Sequence, residues 1–449
     1  MPIRKSIKRA FFTILAAQFF SSLADTALLI AAIALIAQLD GPVWMTPAVR
    51  QGFAVSYVLL AAFAGAFADS FPKGRVMLMT NGIKIIGCFV IFFFDIFRGL
   101  GHADLWMVFI GYMIVGVGCA MYSPAKYGIV TELLPPEELV QGNGWMEGAT
   151  ILSIILGAVV GGALISPRVS HWLLSFDFPM IDTGVDTPPE AAILVIALFY
   201  AIAAIFNLNI RDTGARYPKQ ETNPVKLVTD FAQYVCTLWR DKLGQISLAV
   251  TTLFWGAGAT LQLIVIEWGR QQLGMRLDQA STLMGITAIG TVIGAALAGR
   301  FMTLKTALRA LPVGIAMNVV VMMMPLSHSP VAVYSLLLTI GALGGFFVVP
   351  MNALLQHRGH VLLSAGHSIA VQNFNEQINI LLMVAVYSAM LSFGLKINTI
   401  IIIFGGLVAS IMLLVMYWNR VNHQRDPRLD QIIGIEKGES PTHFVDRPH

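Results

Sequence analysis

The chain has 449 residues and a net charge of +4; 56% of its residues are hydrophobic and only 12% are charged. Soluble domains carry about 25% charged residues, so this chain has too few charges to cover a surface that faces water. The composition excludes a soluble enzyme, a disordered protein and a nucleic-acid-binding protein, and it indicates a helical protein embedded in a membrane.

Twelve segments are long and apolar enough to cross a bilayer as helices, which takes about 20 mostly apolar residues. They lie near residues 11–38, 48–68, 76–97, 104–124, 140–165, 190–210, 245–268, 280–302, 306–325, 331–355, 365–393 and 397–419. The runs are continuously apolar, whereas the strands of a membrane barrel alternate. We therefore predict an all-α polytopic membrane protein with 12 transmembrane helices.

Lys and Arg are unevenly divided between the two sides of the predicted membrane. The termini and the connections on their side hold 22 of these residues, whereas the opposite connections hold 6. Because positively charged loops remain in the cytoplasm, both termini are predicted to be cytoplasmic.

The first span contains a carboxylate, Asp25, near its middle. Burying a carboxylate without a partner is costly. Asp25 is therefore predicted to face a cavity, where it binds a cationic group or forms a gating ion pair. The alternative is a structural hydrogen bond to a neighbouring span.

The connection between spans 2 and 3 contains a cytoplasmic loop motif made of Gly65, Asp69, Lys73, Gly74 and Arg75. It resembles the G-x-x-x-D-x-x-G-R loop motif of the major facilitator superfamily, with two extra residues between Asp and Gly. A carboxylate at a helix end can pair with basic residues and latch neighbouring helices together. The alternative is an ordinary solvated turn.

Span 4 is predicted to end at Pro124, and Lys126 follows it. A proline loosens the local helix and releases backbone carbonyls. Lys126 is predicted to attract a phosphate or to act in gating. The alternative is that its side chain extends to the headgroup layer.

Two glutamates, Glu147 in span 5 and Glu376 in span 11, occupy similar places in the two halves of the chain. Either carboxylate could bind a cation, carry a proton, or pair with Lys126 or Arg358. Gating is the favoured role, and helix packing is the alternative.

Span 11 is unusually polar, since Gln372, Asn373 and Glu376 lie within it. Their separations of three and four residues place them on one face of a helix. The pattern predicts a polar stripe that lines a hydrated cavity.

The longest polar break, at about 211–244, separates six spans from six. The two halves repeat one pattern, in which a proline near the end of one span is followed by a glutamate in the next span. The separation is 23 residues in the first half (Pro124 to Glu147) and 26 in the second (Pro350 to Glu376). Such weak parallel repeats are typical of the major facilitator fold. The predicted domains are an N-terminal half (1–210), a linker (211–244), a C-terminal half (245–420) and a flexible cytoplasmic tail (421–449).

The linker is predicted to contain an amphipathic helix. Leu227, Phe231, Tyr234 and Leu238 recur at helical spacing. This face is predicted to rest on the cytoplasmic membrane surface. A plain soluble linker helix is the alternative.

No motif for a cofactor, a metal or covalent catalysis is present. The three cysteines form no C-x-x-C pair, and there is no G-x-x-x-x-G-K-[ST] loop and no G-x-S-x-G elbow. Glycines in spans 5, 8 and 10 indicate close helix packing. The sequence predicts a protein that is not an enzyme and that uses no cofactor.

Five segments together resemble the LplT family of lysophospholipid transporters, within the major facilitator superfamily. They are residues 24–29, 68–75, 122–129, 254–258 and 344–356, and the most specific is the string Tyr-Ser-Pro-Ala-Lys-Tyr-Gly at 122–128. The resemblance runs over roughly 10–420.

The resemblance implies a flippase of the bacterial inner membrane. It would move lysophosphatidylethanolamine and related lysolipids from the outer to the inner leaflet by facilitated diffusion, and an acyltransferase–acyl-ACP synthetase would reacylate them. Members of the family carry an arginine in span 7 where this chain has Gln262. A carboxylate–guanidinium gate between Asp25 and that position therefore cannot be carried over.

Two other functions stay open. One is a proton-coupled drug or metabolite exporter of the same superfamily, in which Asp25 or Glu376 carries the proton. The other is a membrane protein that transports nothing and docks or regulates the acyltransferase.

Overall fold

The computed structural model describes residues 2–42, 45–93, 103–174, 187–275, 277–327 and 329–433. Within these ranges every regular element is a helix. The α-helices are α1 (Pro2–Gln38), α2 (Met45–Ser70), α3 (Lys73–Phe92), α4 (Ala103–Leu133), α5 (Leu139–Ile165), α6 (Pro167–Leu174), α7 (Pro188–Leu208), α8 (Pro224–Arg240), α9 (Gly244–Leu273), α10 (Leu277–Phe301), α11 (Leu311–Met322), α12 (Pro330–Leu362), α13 (Ala365–Ser392), α14 (Ile397–Arg425) and α15 (Leu429–Ile432).

Twelve helical segments in the described ranges are long and apolar enough to cross a membrane. They correspond to the 12 predicted spans, so the prediction of a polytopic all-α membrane protein is confirmed. Helices α6, α8 and α15 are the additional ones. The last residues of predicted span 3 (94–97) and most of the predicted tail (434–449) lie outside the described residues.

Two spans are longer than predicted, and both contain a proline. Helix α4 passes Pro124 and ends at Leu133, and α12 passes Pro350 and ends at Leu362. A proline removes one backbone hydrogen bond, and a membrane helix tolerates this when its neighbours satisfy the released carbonyl. Lys126 therefore lies inside a helix and not at its end.

The chain forms two compact units. The first comprises residues 1–126 and 152–220, and the second comprises 127–151 together with 221 onward. Helices α4 and α5 each contribute to both. The predicted halves, 1–210 and 245–420, stay a prediction.

The core of the first unit is built around α1, α3 and α7. Small residues of α1, such as Ala24 and Ala27, are fully buried together with Ile193 and Tyr200 of α7. A Cβ on Gly157 of α5 would lie 2.5 Å from the backbone oxygen of Leu23. The small side chains thus let the helix backbones approach closely.

In the second unit the closest helix pair is α10 and α12. A Cβ on Gly294 would collide with the backbone oxygen of Ala342, and one on Gly341 with that of Thr287. The packing that the glycines of spans 8 and 10 predicted is therefore present. Gly285, on the same helix as Gly294, has open space around it.

The linker contains the predicted helix, α8, which begins after Asn223. The Asn223 side chain accepts a hydrogen bond from the backbone N–H of Val225 and so caps the helix. Just before the helix, Glu221 accepts a hydrogen bond from Lys226, which lowers the pKa of Glu221 to about 2. The pair therefore stays ionised at neutral pH.

The apolar face predicted for α8 packs against α13. Phe231 is buried, with its ring centroid 5.3 Å from that of Phe374, and the Tyr234 and His367 rings are 4.6 Å apart. Both partners lie on α13. The helix was predicted correctly, but hydropathy alone could not distinguish a protein surface from a membrane surface.

Candidate functional site

A buried ion pair joins α1 and α3 in the first unit. Lys84 Nζ lies 2.9 Å from Oδ1 and 3.0 Å from Oδ2 of Asp25. The Lys84 side chain is 1% exposed, whereas that of Asp25 keeps 22% of its exposure. Since an unpaired buried charge is strongly unfavourable, each residue stabilises the other in its charged form. Asp25 is thus paired within its own unit.

Hydroxyl and aromatic groups from other helices surround this pair. Tyr200 of α7 donates its hydroxyl to Asp25 Oδ1 at 2.7 Å, and Ser21 of α1 accepts from Lys84 Nζ at 3.0 Å. The ring of Tyr122, on α4, lies 4.8 Å from Lys84 Nζ, within the range of a cation–π contact. The pair therefore ties together α1, α3, α4 and α7.

Lys84 is absent from the residues predicted to be functional, although the sequence carried a signal for it. It is the only Lys or Arg near the middle of a predicted span, and such residues normally have a partner inside the bundle. Gly118 leaves space for the aliphatic part of the Lys84 side chain, because a Cβ at that position would lie 2.7 Å from Lys84 Cγ.

A chain of hydrogen bonds connects the two predicted glutamates in the second unit. Asn352 Nδ2 donates to Glu147 Oε1 at 3.3 Å. Gln372 Nε2 donates to Asn352 Oδ1 at 3.0 Å and to Glu376 Oε1 at 2.8 Å. Tyr127 also donates its hydroxyl to Glu147 Oε1, at 3.1 Å. The structure thus brings Glu147, Gln372 and Glu376 together through Asn352, which was not among the predicted site residues.

This polar chain is deeply buried, and one of its acceptors has no partner. Glu147 is 2% exposed, Asn352 1%, Gln372 5% and Glu376 6%. The Oε1 atom of Gln372 accepts no hydrogen bond. Burial without hydrogen bonds is costly for an amide oxygen, so this position suits a donor that enters the cluster.

The polar stripe predicted on span 11 is divided among several partners. Gln372 and Glu376 belong to the chain described above, whereas Asn375 Oδ1 accepts from Trp239 Nε1 of α8 at 3.1 Å. Asn373 is buried, at 9% exposure. The stripe therefore joins several helices and is not simply one wall of a cavity.

The other predicted site residues lie in different settings. Lys126 is buried, at 7% exposure, whereas Gln262 of α9 is exposed. Arg358 forms a bidentate ion pair with Asp241, with nitrogen–oxygen distances of 2.9 and 2.7 Å. Arg358, considered as a partner for the glutamates, thus holds the end of α8 to α12.

The cytoplasmic loop motif forms its own ion pair, between Asp69 and Lys73. Lys73 Nζ also donates to the backbone oxygen of Ala68 at 2.8 Å and lies 4.8 Å from the centroid of the Tyr217 ring. Both charged residues are buried. Lys73 is one of the four residues between Asp69 and Gly74, so this chain supplies a partner of Asp69 from within the loop.

The remaining residues of the motif fix its backbone. Gly65 and Gly74 are buried, and a Cβ on Gly74 would lie 3.0 Å from Ile210. Arg75 is exposed. The loop therefore packs against the segment that follows α7, as a latch would.

No group of three or more His, Cys, Asp or Glu side chains that could hold a metal ion occurs within the described ranges. Among the same residues, twelve helices that are long and apolar enough to span a membrane, with ion pairs and amide networks buried among them, fit a polytopic membrane transporter.

Comparison with known proteins identifies the family. Residues 10–378 match the family model described as Major Facilitator Superfamily. The chain is 40% identical to the lysophospholipid transporter LplT of Photorhabdus laumondii, over 93% of this chain and 98% of that one. It is 43% identical to LplT of Yersinia enterocolitica, over 87% and 89% of the two chains. The chain belongs to the major facilitator superfamily and, within it, to the LplT family.

Solved structures share the fold at much lower identity. The human organic anion transporter MFSD10 matches with a TM-score of 0.69 and 14% identity, over 92% of this chain and 99% of that one. The transporter FucP, in its outward conformation, matches with a TM-score of 0.66 and 14% identity, over 92% and 98%. The predicted major facilitator fold is confirmed.

Proposed function

We propose that the protein moves lysophospholipids, chiefly lysophosphatidylethanolamine, from the outer to the inner leaflet of the bacterial inner membrane by facilitated diffusion. The observation that carries this proposal is the 40% identity to an LplT protein over 98% of its length. The excess of Lys and Arg on one side supports cytoplasmic termini. A cytoplasmic acyltransferase–acyl-ACP synthetase would then reacylate the product.

The chemistry of the headgroup fits residues of the first unit. A zwitterionic headgroup needs an anionic partner for its ammonium and a cationic partner for its phosphate. Asp25 already accepts from Lys84 and Tyr200, but it keeps 22% exposure, so its carboxylate can still receive a further donor. Lys126, on α4, is the cation we assign to the phosphate. Glu147 and Glu376 are assigned to gating in the second unit.

The test is leaflet-resolved transport by the purified protein in proteoliposomes. Labelled lysophosphatidylethanolamine is supplied in the outer leaflet, and its movement inward is followed by back-extraction with albumin. We expect transport without ATP and without an imposed proton gradient. Movement that requires a proton gradient, or transport of a hydrophilic solute alone, would instead support the exporter. Wild-type protein that moves no lysolipid at any membrane potential would overturn the proposal.

The phosphate role of Lys126 predicts a difference between two substitutions. Lys126→Glu should reduce lysolipid transport by at least tenfold, because it places a negative charge where the phosphate must pass. Lys126→Arg should keep most of the activity, since a guanidinium also binds phosphate. Initial rates at equal amounts of reconstituted protein check this. Equal rates for the two variants would remove Lys126 from the headgroup path.

A further inference from the structure

Helix α8 carries a second apolar face, which points away from the protein. We call this face the outer stripe; it consists of Val225, Val228, Ala232 and Cys236. Val225 is 73% exposed and Val228 is 52% exposed, and Cys236 is also exposed. Spacings of three and four residues place all four on one side of a helix. An exposed apolar row of this kind is a candidate interaction surface.

The remaining sector of α8 is polar. At about 100° per residue, a third set of side chains projects between the inner face and the outer stripe: Lys226, Thr229, Asp230, Gln233 and Arg240. The helix therefore has one side on protein, one side apolar and exposed, and one side polar. A linker helix that lies on the protein in water needs only the side on protein and the polar side. Three are expected where protein, lipid and water meet.

The contacts of α8 hold it against the N-terminal part of α13. Phe231 and Trp239 are about 12 Å apart along α8, at 1.5 Å per residue. They contact neighbouring residues of α13: the Phe231 ring packs on Phe374, and Trp239 Nε1 donates to Asn375 Oδ1 at 3.1 Å. Between them, the Tyr234 ring meets His367, seven residues before Phe374 on α13. Helix α8 therefore lies near one end of a membrane-spanning helix, where that helix reaches the membrane interface.

The end of α8 also borders the lipid-facing surface of the bundle. Trp239 lines an apolar groove together with Leu253 of α9, Leu382 of α13 and Leu407 of α14. Leu382 is 58% exposed and Leu407 is 41% exposed, and both lie within membrane-spanning helices, where such side chains meet acyl chains. The outer stripe is therefore on a helix that continues this surface toward the membrane interface.

We propose that the outer stripe lies in the bilayer itself, between the headgroups and the first carbons of the acyl chains. The inner face keeps α8 on α13, and the polar sector faces water. Arg240 borders the stripe and can extend to the headgroups. The partner of this surface is thus membrane lipid, and the helix fixes the depth of the second unit in the bilayer.

The native cysteines allow a direct test. Cys236 is exposed, whereas Cys88 and Cys119 are buried, so a thiol-reactive nitrobenzoxadiazole dye labels the outer stripe of the wild-type protein. The labelled protein is placed in vesicles of phosphatidylethanolamine and phosphatidylglycerol that contain a phospholipid with a nitroxide near its headgroup. We expect several-fold stronger quenching by the nitroxide lipid than by aqueous iodide.

Three variants complete the experiment. In Cys236→Ser/Gln233→Cys the same dye reports from the polar sector, and iodide should quench it better than the lipid does. Val228→Asp should reduce nitroxide quenching at Cys236 several-fold, whereas Gln233→Asp, near the centre of the polar sector, should leave it unchanged. Equal iodide quenching at positions 233 and 236 would overturn the proposal. Shielding of Cys236 from both quenchers would also overturn it, by indicating a protein partner or a second copy of the chain.

Discussion

Replacing Lys84 with methionine is expected to destabilise the protein more than any other single change of charge within its spans. The methionine fills a similar volume, but it leaves the Asp25 carboxylate without the ammonium that contacts both of its oxygens. Removing one partner of a buried ion pair typically costs about 3 to 5 kcal/mol. The midpoint of thermal unfolding in detergent, followed by tryptophan fluorescence, measures this loss.

Two further variants separate lost charge from lost packing. In Asp25→Asn/Lys84→Met no unpaired charge remains, so most of the stability should return. Lys226→Met removes a lysine that is 60% exposed and also paired, and it should hardly change the unfolding midpoint. If the double variant is no more stable than Lys84→Met, the pair does not account for the loss.

The double variant also tests the role of Asp25 in transport. A folded protein that lacks both charges should still fail to move lysophosphatidylethanolamine if Asp25 receives the headgroup ammonium. Full transport by this variant would make the ion pair purely structural, which is the alternative that the sequence left open.

Gly294→Val is expected to prevent α10 and α12 from packing. Its Cβ would meet the backbone oxygen of Ala342, and a backbone cannot rotate away as a side chain can. Overpacking a tight contact usually costs about 1 to 3 kcal/mol of stability. Because this collision is with backbone, we expect its cost to reach or exceed the upper end of that range. The yield of monodisperse protein in size-exclusion chromatography, and its unfolding midpoint, report the effect.

Gly285→Val is the matched control, since it makes the same substitution on the same helix. Nothing lies within 4 Å of a Cβ at this position. Its stability should therefore match the wild type, because valine is also a better helix former than glycine. Similar losses in the two variants would show that loss of a helical glycine, and not helix contact, is responsible.

Hydropathy was sufficient to predict the twelve spans, because each must carry its own apolar length. Pairing between spans was not predictable in the same way. Lys84 and Asp25 are 59 residues apart, and no periodicity relates them. The glycines of span 8 indicated close packing, but Gly285 and Gly294 look alike in sequence although only Gly294 contacts another helix. The face of α8 that contains Phe231 was predicted to rest on the membrane surface, whereas it packs on α13. Apolar side chains suit lipid and protein equally well, so hydropathy could not decide between the two.

The chain of hydrogen bonds in the second unit has a direction. Gln372 Nε2 donates both to Asn352 and to Glu376, and Asn352 in turn donates to Glu147. Both carboxylates therefore lie at accepting ends, and a single amide group supplies the two branches. A rotation of the Gln372 side chain would withdraw a donor from Glu376 and release Asn352 in the same movement. One amide group thus links the hydrogen bonding of two acids that lie 229 residues apart in the sequence.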